Sequence, residues 1–199
     1  ARSLREALND AIGDAGTQRD LSAILTKLGD IKRARRDLDG AAKDYGAALA
    51  LDRVLSQELR TWQARDDYAI SLAKYGDVQR TLGKTREAME LQREAVEVFD
   101  KNVDETGSPQ YRKHLAAGLE KLAKSWDSLW QREQAEVCYE RAVHLRRDLM
   151  HEYPSHTTRH ELATTLFLYA DFARDADRMR EALRLWEEMC HEHPEYMRY

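Results

Sequence analysis

The chain has 199 residues, of which only three are proline and nine are glycine, and its formal net charge is −4. Because residues that break helices are scarce, this composition predicts an all-α protein without a sheet. The negative charge gives no long-range attraction to a phosphate backbone, so we expect no nucleic-acid partner. No apolar segment approaches the ~20 residues that span a bilayer, and the N-terminus lacks a signal-peptide core. We therefore predict a cytoplasmic protein with no membrane partner.

Small and apolar residues recur along the chain at one spacing. Gly29 and Gly76 are 47 residues apart, and Ala123 and Ala170 continue the series. Two further series keep the same spacing: Leu25, Leu72, Leu119 and Leu166, and Ala41, Ala88, Ala135 and Ala182. A period of about 20 to 50 residues indicates stacked supersecondary units, none of which can bury its apolar face alone. The sequence therefore predicts four repeats of antiparallel helix pairs.

The repeats are predicted to form a single array that begins inside a repeat. Residues 1–12 align, by the same shift, with the second half of a later helix, so they are interpreted as an orphan second helix of a preceding repeat. Its apolar stripe, Leu4, Leu8 and Ile12, would need a neighbour to cover it. We therefore predict a larger parent protein and self-association through exposed array ends. The predicted parts are residues 1–16 for the orphan helix and residues 20–60, 66–107, 109–154 and 158–199 for the four repeats.

Each repeat is predicted to contain a first helix, A, and a long second helix, B. Ser108 followed by Pro109 predicts the start of helix A in the third repeat, because proline is favoured at the first helical position. Tyr153-Pro154-Ser155 predicts the end of helix B in the same repeat. The predicted helices of the first two repeats are Asp20–Arg35, Leu38–Leu59, Asp66–Leu82 and Thr85–Val103.

Further helix ends are predicted from capping residues. Two capping boxes are expected where a threonine is followed three residues later by an acidic residue. The predicted pairs are Thr17 with Asp20 and Thr158 with Glu161. Gly13 and Gly16 are interpreted as the end of the orphan helix. The connection at residues 60–64 has neither glycine nor proline, so helix B of the first repeat could continue through it.

The first repeat shows the order of residues on which a family resemblance rests. Leu28 and Gly29 are followed by Ala41, Tyr45 and Ala48. This order resembles the tetratricopeptide repeat, in which a leucine and a glycine in helix A precede an alanine, an aromatic residue and an alanine in helix B. The family's period is about 34 residues, so the surplus here would lengthen helix B and its exit loop, as in the long-repeat versions similar to those of kinesin light chain or of bacterial signalling proteins. The resemblance implies an α-solenoid with a right-handed superhelix. HEAT-type repeats of similar length are the alternative architecture.

The small residues of the pattern have a role in packing. Gly29 and its equivalents would let helices A and B approach closely, while Tyr45, Tyr139 and Trp186 fill the space beside them. The pattern is broken by Gln92, which replaces the aromatic residue of the second repeat, and by Met189, which replaces the second alanine of the fourth.

In tetratricopeptide arrays the A helices line a concave groove, and the resemblance implies which positions of this chain face it. The candidate groove residues are Lys27, Asp30, Arg33, Ile70, Lys74, Asp77, Arg80, Lys121, Lys124, Phe167, Leu168 and Arg174. One interpretation is a solvated face whose charges pair within and between helices. The other is a ladder of Lys27, Lys74 and Lys121 that meets the carboxylates of an acidic or C-terminal peptide, while Phe167, Leu168 and Ile70 hold an apolar side chain.

One partner class of the family is disfavoured. Some members bind a chaperone's C-terminal carboxylate through lysine and asparagine, but Asp30 and Asp77 stand where this arrangement would have asparagine.

Trp126 and Trp130 lie four residues apart, and Trp130 occupies a turn between helices. Two interpretations are open for Trp130: interior packing or an exposed binding residue.

The sequence shows no constellation typical of an enzyme or a metal site. Six of the seven histidines lie between His144 and His193, but they lack the ligand spacings of zinc sites, and we interpret them as surface residues. Cys138 and Cys190 are interpreted as buried free thiols. Neither a glycine-rich phosphate loop nor a nucleophile elbow is present, so we predict no catalysis and no cofactor.

The leading functional prediction is a non-catalytic scaffold that binds a peptide or a partner domain in its groove. The alternative is a regulatory sensor domain, in which a peptide or another ligand changes the superhelical pitch and switches an attached effector. The identity of the partner and of any attached domain is not encoded in these patterns.

Overall fold

A computed structural model describes residues 14–192 of the chain. This part consists of eight helices joined by short connections and contains no β-strand, so the all-α prediction is confirmed within it. The helices are α1 (Ala15–Ala34), α2 (Leu38–Leu59), α3 (Trp62–Thr81), α4 (Thr85–Thr106), α5 (Pro109–Ser128), α6 (Arg132–Glu152), α7 (His156–Ala173) and α8 (Ala176–Glu192). The predicted bounds of α2 agree with the structure at both ends.

The chain divides into two compact units, Ala1–Asn102 and Val103–Tyr199, and the division falls in the last turn of α4. Unit 1 contains α1, α2, α3 and most of α4, and unit 2 contains α5 to α8. The odd-numbered helices are the A helices of the predicted repeats, and the even-numbered helices are the B helices. The predicted single array and its handedness stay predictions.

The spacing seen in the sequence reappears in the helix starts. The A helices begin at residues 15, 62, 109 and 156, so that successive starts are 47 residues apart. Each A helix is joined to the following B helix by two or three residues, which makes the pair antiparallel. The turns each contain a residue with positive φ: Arg36, Gly83, Trp130 and Arg174. Only the glycine adopts this left-handed conformation without a steric cost.

The start of α1 differs from the prediction. The Asp14 carboxylate caps the helix by accepting hydrogen bonds from the backbone N–H groups of Gly16 and Thr17, at 3.1 and 3.3 Å. The predicted capping box of Thr17 with Asp20 is therefore wrong, because the helix begins at Ala15, which makes Asp14 the capping residue and leaves Thr17 inside the first turn. Gly16 lies in the first turn of α1 and does not end a preceding helix. The rest of the predicted orphan helix lies outside the described residues.

The capping box of α7 is also shifted from its predicted position. The backbone N–H of Thr158 donates to Ser155 Oγ at 3.1 Å, and the backbone N–H of Ser155 donates to Thr158 Oγ1 at 3.0 Å. The predicted pair of Thr158 with Glu161 is wrong because the helix begins at His156, which makes Ser155 the capping residue. The Glu161 side chain instead forms an ion pair with Arg146.

Other predicted ends are confirmed or resolved by the structure. Ser108 is the N-cap of α5 with Pro109 at the first helical position, and α6 ends at Glu152 immediately before Tyr153. Helix α2 does not continue beyond Leu59, because Arg60 adopts a left-handed conformation and the Thr61 side chain accepts from the N–H of Ala64 at 3.2 Å.

The helices of unit 1 cross closely at small residues. A Cβ atom added to Gly29 would lie 2.6 Å from Cε1 of Tyr45, and one added to Gly76 would lie 2.9 Å from Cγ of Gln92. Both separations are shorter than van der Waals contact, so these positions require glycine for the observed approach. The predicted role of the small residues is confirmed at Gly29 and Gly76. Ala41 and Tyr45 are almost completely buried.

The core of unit 2 contains a group of aromatic rings. The Tyr139 and Tyr169 rings are stacked with their centroids 5.5 Å apart, and the Phe172 ring lies 5.3 Å from Tyr139. Tyr139 fills the interior as predicted, whereas Trp186 is half-buried and contacts Phe167 at a centroid distance of 5.7 Å. These offset and tilted geometries are the favourable ones for aromatic pairs.

Candidate functional site

Three ion pairs connect α1 to α3 in unit 1. Arg19 Nε lies 2.8 Å from Asp67 Oδ2, Lys74 Nζ lies 2.6 Å from Asp30 Oδ2, and an Arg33–Asp77 pair is more loosely spaced at 3.5 Å. Arg80 adds a pair within α3, at 3.1 Å from Asp77. The helices A of the first two repeats are thus joined by side chains of opposite charge at both ends of the space between them.

That space is a groove of about 360 Å³, which we call the unit 1 groove. Its walls come from the A helices, and Asp52 of α2 contributes to its floor. Four of its lining residues are candidate groove residues of the family resemblance: Lys27, Asp30, Ile70 and Lys74. A cavity of this size is in the range of sites that hold a small ligand or a few side chains of a peptide.

A smaller cavity of about 50 Å³ adjoins the groove, and we call it the deep end. It shares Arg19, Asp52 and Asp67 with the groove. Its remaining lining includes the apolar side chains of Leu55 and Leu59. The deep end therefore combines hydrocarbon surface with one cation and two carboxylates.

Asp52 is the most buried charged residue of this site, with 3% of its surface exposed. Ser71 Oγ donates to Asp52 Oδ2 at 2.5 Å, and this is the hydrogen bond that the described residues give it. Helical periodicity explains the burial, since Asp52 lies on the same face of α2 as Leu55 and Leu49, both of which are buried. The structure thus places Asp52 on the inward face of α2.

Two of the paired aspartates, Asp67 and Asp30, have different electrostatic environments. Burial raises the pKa of Asp67, the Arg19 hydrogen bond and charge oppose this, and the carboxylates of Asp52 and Asp66 raise it further. At Asp30, burial also disfavours the charge, but hydrogen bonds from Lys74 and Tyr45 and the charge of Lys74 hold the pKa below its ordinary value. The Asp67 end of the groove is thus short of positive charge, whereas the Asp30 end is not.

Tyr45 links the groove to the core. Its hydroxyl donates to Asp30 Oδ1 at 2.6 Å, and Lys74 Nζ lies 5.9 Å from the centre of its ring. Burial and the hydrogen bond to the Asp30 carboxylate raise the pKa of Tyr45, so the hydroxyl stays a donor at neutral pH. The Tyr45 ring that packs against Gly29 therefore also positions the Asp30 carboxylate.

The predicted lysine ladder is not a row of free charges in unit 1. Lys74 is engaged by Asp30, whereas Lys27 is exposed and makes no ion pair with the described residues. Lys74 pairs with Asp30 between α1 and α3, and Arg80 pairs with Asp77 within α3, so unit 1 contains pairs of both kinds that the first interpretation of this face described. Arg33 and Arg80 both point to Asp77.

The other candidate residues lie in unit 2. Lys121 and Lys124 are both engaged in interactions, and Arg174 is exposed beside Asp171 at 3.7 Å. Phe167 is 41% exposed, and Leu168 is half-buried. The observations do not bring these five residues together with the unit 1 groove.

The two tryptophans of the third repeat have different environments. Trp126 is half-buried, while Trp130 is 89% exposed and adopts φ of 61° in the turn before α6. Trp130 is therefore not interior packing, and it stands at the position where the second repeat has Gly83. Trp126 lies beside the half-exposed surface of Val137 and the buried Cys138.

Within residues 14–192, the thiols and histidines form neither a nucleophilic site nor a metal site. Cys138 is buried and Cys190 half-buried, both as free thiols, and burial raises the pKa of Cys138 to about 11. A thiol with this pKa is a poor nucleophile. Over residues 14–192 no cluster of three or more histidine, cysteine or acidic side chains is placed to hold a metal ion. In the same range, none of the helices has the length and apolar character needed to cross a bilayer.

The network of Asp52, Ser71, Asp67 and Arg19 was not found by sequence reasoning. Part of the signal was present, because Ser71 stands in register with Gly118 and Thr165, which are buried small or polar residues, although the first repeat has the exposed Ile24 at this position. A polar residue repeated at a core position indicates a buried hydrogen bond. The pairing partner cannot be read from one helix.

Comparisons with known proteins agree with the resemblance. Residues 69–102 match the family model of the tetratricopeptide repeat. No curated protein matches the chain. Among solved structures, BtubC (BKLC) from P. vanneervenii is 21% identical with a TM-score of 0.62, and the match covers 98% of this chain and 72% of that one. A putative kinesin light chain of Podosopora anserina with nearly identical TPR-like repeats is 19% identical with a TM-score of 0.52, over 89% of this chain and 77% of that one.

At these identities the likeness shows the fold alone. Stacked helical repeats offer extended surfaces for binding proteins and are typically non-catalytic. The long-repeat variant of the family stays a prediction, since the family model matches one stretch of the chain. This chain is thus a helical-repeat protein that carries a tetratricopeptide repeat at residues 69–102.

Proposed function

We propose that the chain is a non-catalytic interaction scaffold, which holds an extended peptide segment of a partner protein in the unit 1 groove. The observation that carries this proposal is the groove itself, about 360 Å³ in volume, between two A helices. Helical-repeat proteins bind their partners on surfaces of this kind. The sequence comparisons agree with a scaffold and name no partner.

The lining of the groove suits a peptide. Ala23 and Ile70 offer apolar surface, while Thr26 supplies a hydroxyl group that can bond to a peptide backbone. The ion pairs between α1 and α3 hold the walls in place before a ligand arrives, which lowers the entropy cost of binding. These features support a preformed site for an extended segment.

The test is a selection of binding peptides followed by a substitution in the groove. A displayed library of random peptides of about ten residues, a length that spans such a groove, is selected against the full chain. Ile70→Arg places a large charged side chain in the groove, so we expect selected peptides to lose at least about tenfold in affinity, measured by fluorescence anisotropy.

Leu183→Arg serves as the matched control. Leu183 is an apolar residue of α8 that is 48% exposed and lies in unit 2, so the substitution adds the same charge away from the groove. Peptides should bind this variant as they bind the original chain. A selection that yields no peptide, or peptides that bind equally to the Ile70→Arg variant, would contradict the proposed function.

A further inference from the structure

We propose that the deep end of the unit 1 groove receives a basic side chain, arginine or lysine, of the peptide that the groove holds. This inference rests on the proposed function and adds the chemistry of the partner to it. The lysine ladder had suggested an acidic peptide, whereas this inference predicts a basic side chain in the peptide.

The deep end contains a carboxylate, Asp52, with which no cation of residues 14–192 is paired. Arg19 is engaged with Asp67 at 2.8 Å. Asp52 is almost completely buried, lines the deep end, and receives one hydrogen bond within residues 14–192, from the hydroxyl of Ser71. A buried carboxylate is unfavourable unless a cation and further donors satisfy it. A positively charged group that enters the deep end would supply both.

In unit 2, the buried charge at the equivalent position is paired by side chains of the chain itself. Arg146 of α6 lies in register with Asp52, since 146 − 52 is twice the spacing of 47, and Arg146 is equally buried. Its guanidinium contacts Glu161 at 2.7 Å and Glu120 at 3.6 Å. Glu161 is the equivalent of Asp67 by the same shift. In unit 2 the chain itself provides the central cation, and in unit 1 it provides a carboxylate at that position.

The deep end has the dimensions and surface of a pocket for a basic side chain. A cavity needs about 10–15 Å³ to hold one water molecule. The cavity of about 50 Å³ therefore accommodates a group of three to five heavy atoms. This is the size of a guanidinium group. Leu55, Leu59 and Ala64 provide the apolar surface along which the methylene groups of arginine or lysine pack.

An acidic side chain fits this site less well. A carboxylate in the deep end would lie beside Asp52 and Asp67 and would compete with Asp67 for Arg19. Lys74, which could have attracted it, already contacts Asp30 at 2.6 and 2.8 Å. Lys27 remains exposed at the rim, where solvent screens its charge.

The experiment exchanges charge on both sides of the proposed contact. In the tightest peptide from the library selection, each arginine or lysine is replaced in turn by citrulline, which is neutral and close in shape to arginine, or by glutamate. We expect one basic residue whose replacement by citrulline weakens binding at least about tenfold, as expected for a charge-assisted contact. With the Asp52→Asn variant, the arginine and citrulline peptides should bind equally well.

Asp39→Asn is the matched control, because Asp39 lies on the same helix, is exposed, and gives the same change of charge. This variant should keep the preference for the basic peptide. Asp67→Asn is a second test on the opposite helix and should weaken the preference. Thermal unfolding of each variant shows whether the fold is kept.

The outcomes separate the inference from the proposed function. If the selected peptides have no basic residue, or if arginine and citrulline peptides bind the original chain equally, the inference is overturned while the scaffold function stands. A preference that survives both Asp52→Asn and Asp67→Asn also overturns it. If no selected peptide is sensitive to Ile70→Arg, the proposed function itself fails.

Discussion

Positions 52 and 146 are the same position in two B helices, but the two units use it in opposite ways. In unit 2, Arg146 lies between two glutamates, and Thr165 Oγ1 donates to Glu120 at 2.6 Å. In unit 1, Asp52 has the hydroxyl of Ser71 as its donor, and the nearby cation is bound to another carboxylate. Both units thus bury charge at this position, and only the arrangement in unit 2 pairs the buried charge directly.

We propose that this difference changes a structural position into a binding position. Both units have a hydroxyl and an acid near this position, since Ser71 corresponds to Thr165 and Asp67 to Glu161. Two other positions differ, since unit 1 has Asp52 in place of Arg146 and Thr26 in place of Glu120, so the described residues of unit 1 place no cation at the centre. Buried charges that are fully paired specify packing, whereas one that lacks its counterion favours a charged ligand.

Removal of the central cation of unit 2 should have the largest effect on stability. Arg146→Met leaves Glu120 and Glu161 without their buried partner, and we expect a loss of about 3–5 kcal/mol in the free energy of unfolding. Urea unfolding followed by tryptophan fluorescence reports mainly on unit 2, since Trp126, Trp130 and Trp186 lie there and only Trp62 lies in unit 1.

The corresponding change in unit 1 provides the contrast. Asp52→Asn keeps a side-chain oxygen that can accept from Ser71 and removes a charge that has no cation, so stability should change by less than about 1 kcal/mol. Unfolding is followed by circular dichroism, which reports on both units. Losses of equal size for Arg146→Met and Asp52→Asn would show that the two positions are equivalent after all.

A second comparison concerns the helix crossing. Unit 1 has Gly29 where unit 2 has Ala123, although both units carry a tyrosine at the facing position, Tyr45 and Tyr139. Gly29→Ala tests whether unit 1 tolerates the alanine. Its Cβ would approach the Tyr45 ring to 2.6 Å, and this ring is fixed by the hydrogen bond to Asp30.

Because the ring cannot move away freely, overpacking should cost about 1–3 kcal/mol. The higher helix propensity of alanine offsets about 1 kcal/mol of this cost, so the expected net loss is up to about 2 kcal/mol. The measurement is the midpoint of thermal unfolding, with Gly46→Ala as a control, since a Cβ there would meet its nearest atom at 3.6 Å. A Gly29→Ala variant at least as stable as the original would indicate that Tyr45 repacks.

The fold could be predicted from the sequence because it depends on periodicity. One spacing located four helix pairs, and the residues of α2 were bounded correctly at Leu38 and Leu59. Helix starts were less accurate, since several residues near α1 and α7 can act as caps, and the choice between Asp14 and Thr17 depends on which N–H groups are left unpaired.

The candidate site was predictable only in part. Periodicity indicates which face of a helix a residue occupies, and it placed Lys27, Asp30 and Lys74 on one face of their helices. It does not give the stagger between neighbouring helices, and this stagger decides that Lys74 contacts Asp30. Asp52 shows the same limit, because its burial follows from its position while its partner Ser71 belongs to another helix.

The turns offer a smaller test of the two units. Trp130 of unit 2 and Arg36 of unit 1 are 94 residues apart and both have positive φ, of 61° and 64°. Trp130→Gly removes a left-handed strain of about 1–2 kcal/mol, part of which is offset by the greater freedom of glycine in the unfolded chain. Since the side chain is 89% exposed, little packing is lost.

We expect Trp130→Gly to raise the free energy of unfolding by at most about 1 kcal/mol, and Arg36→Gly to act similarly. The measurement is urea unfolding followed by circular dichroism, because the substitution removes a fluorophore. A clear loss of stability in the Trp130→Gly variant alone would mean that the indole packs against unit 2 more closely than its exposure indicates.

The smallest expected effect concerns the paired end of the groove. Lys74→Gln removes the ion pair with Asp30, and because both side chains are substantially exposed, the loss should be at most about 1 kcal/mol near neutral pH. The pair holds the pKa of Asp30 below its ordinary value of 3.8, so its stabilisation is fully present above that pH and is lost as the pH falls through the lower, folded-state pKa.

The difference between the original chain and the Lys74→Gln variant should therefore be constant from neutral pH down to about pH 5 and should shrink below pH 3.8. Lys27→Gln is the control, because Lys27 is exposed and unpaired within the described residues, and it should change stability little at any pH. Salt at about 1 M should also reduce the Lys74 effect by screening. If Lys27→Gln costs as much as Lys74→Gln, then the two lysines act as an equivalent ladder, and the contrast between the paired end and the cation-deficient end of the groove would have to be abandoned.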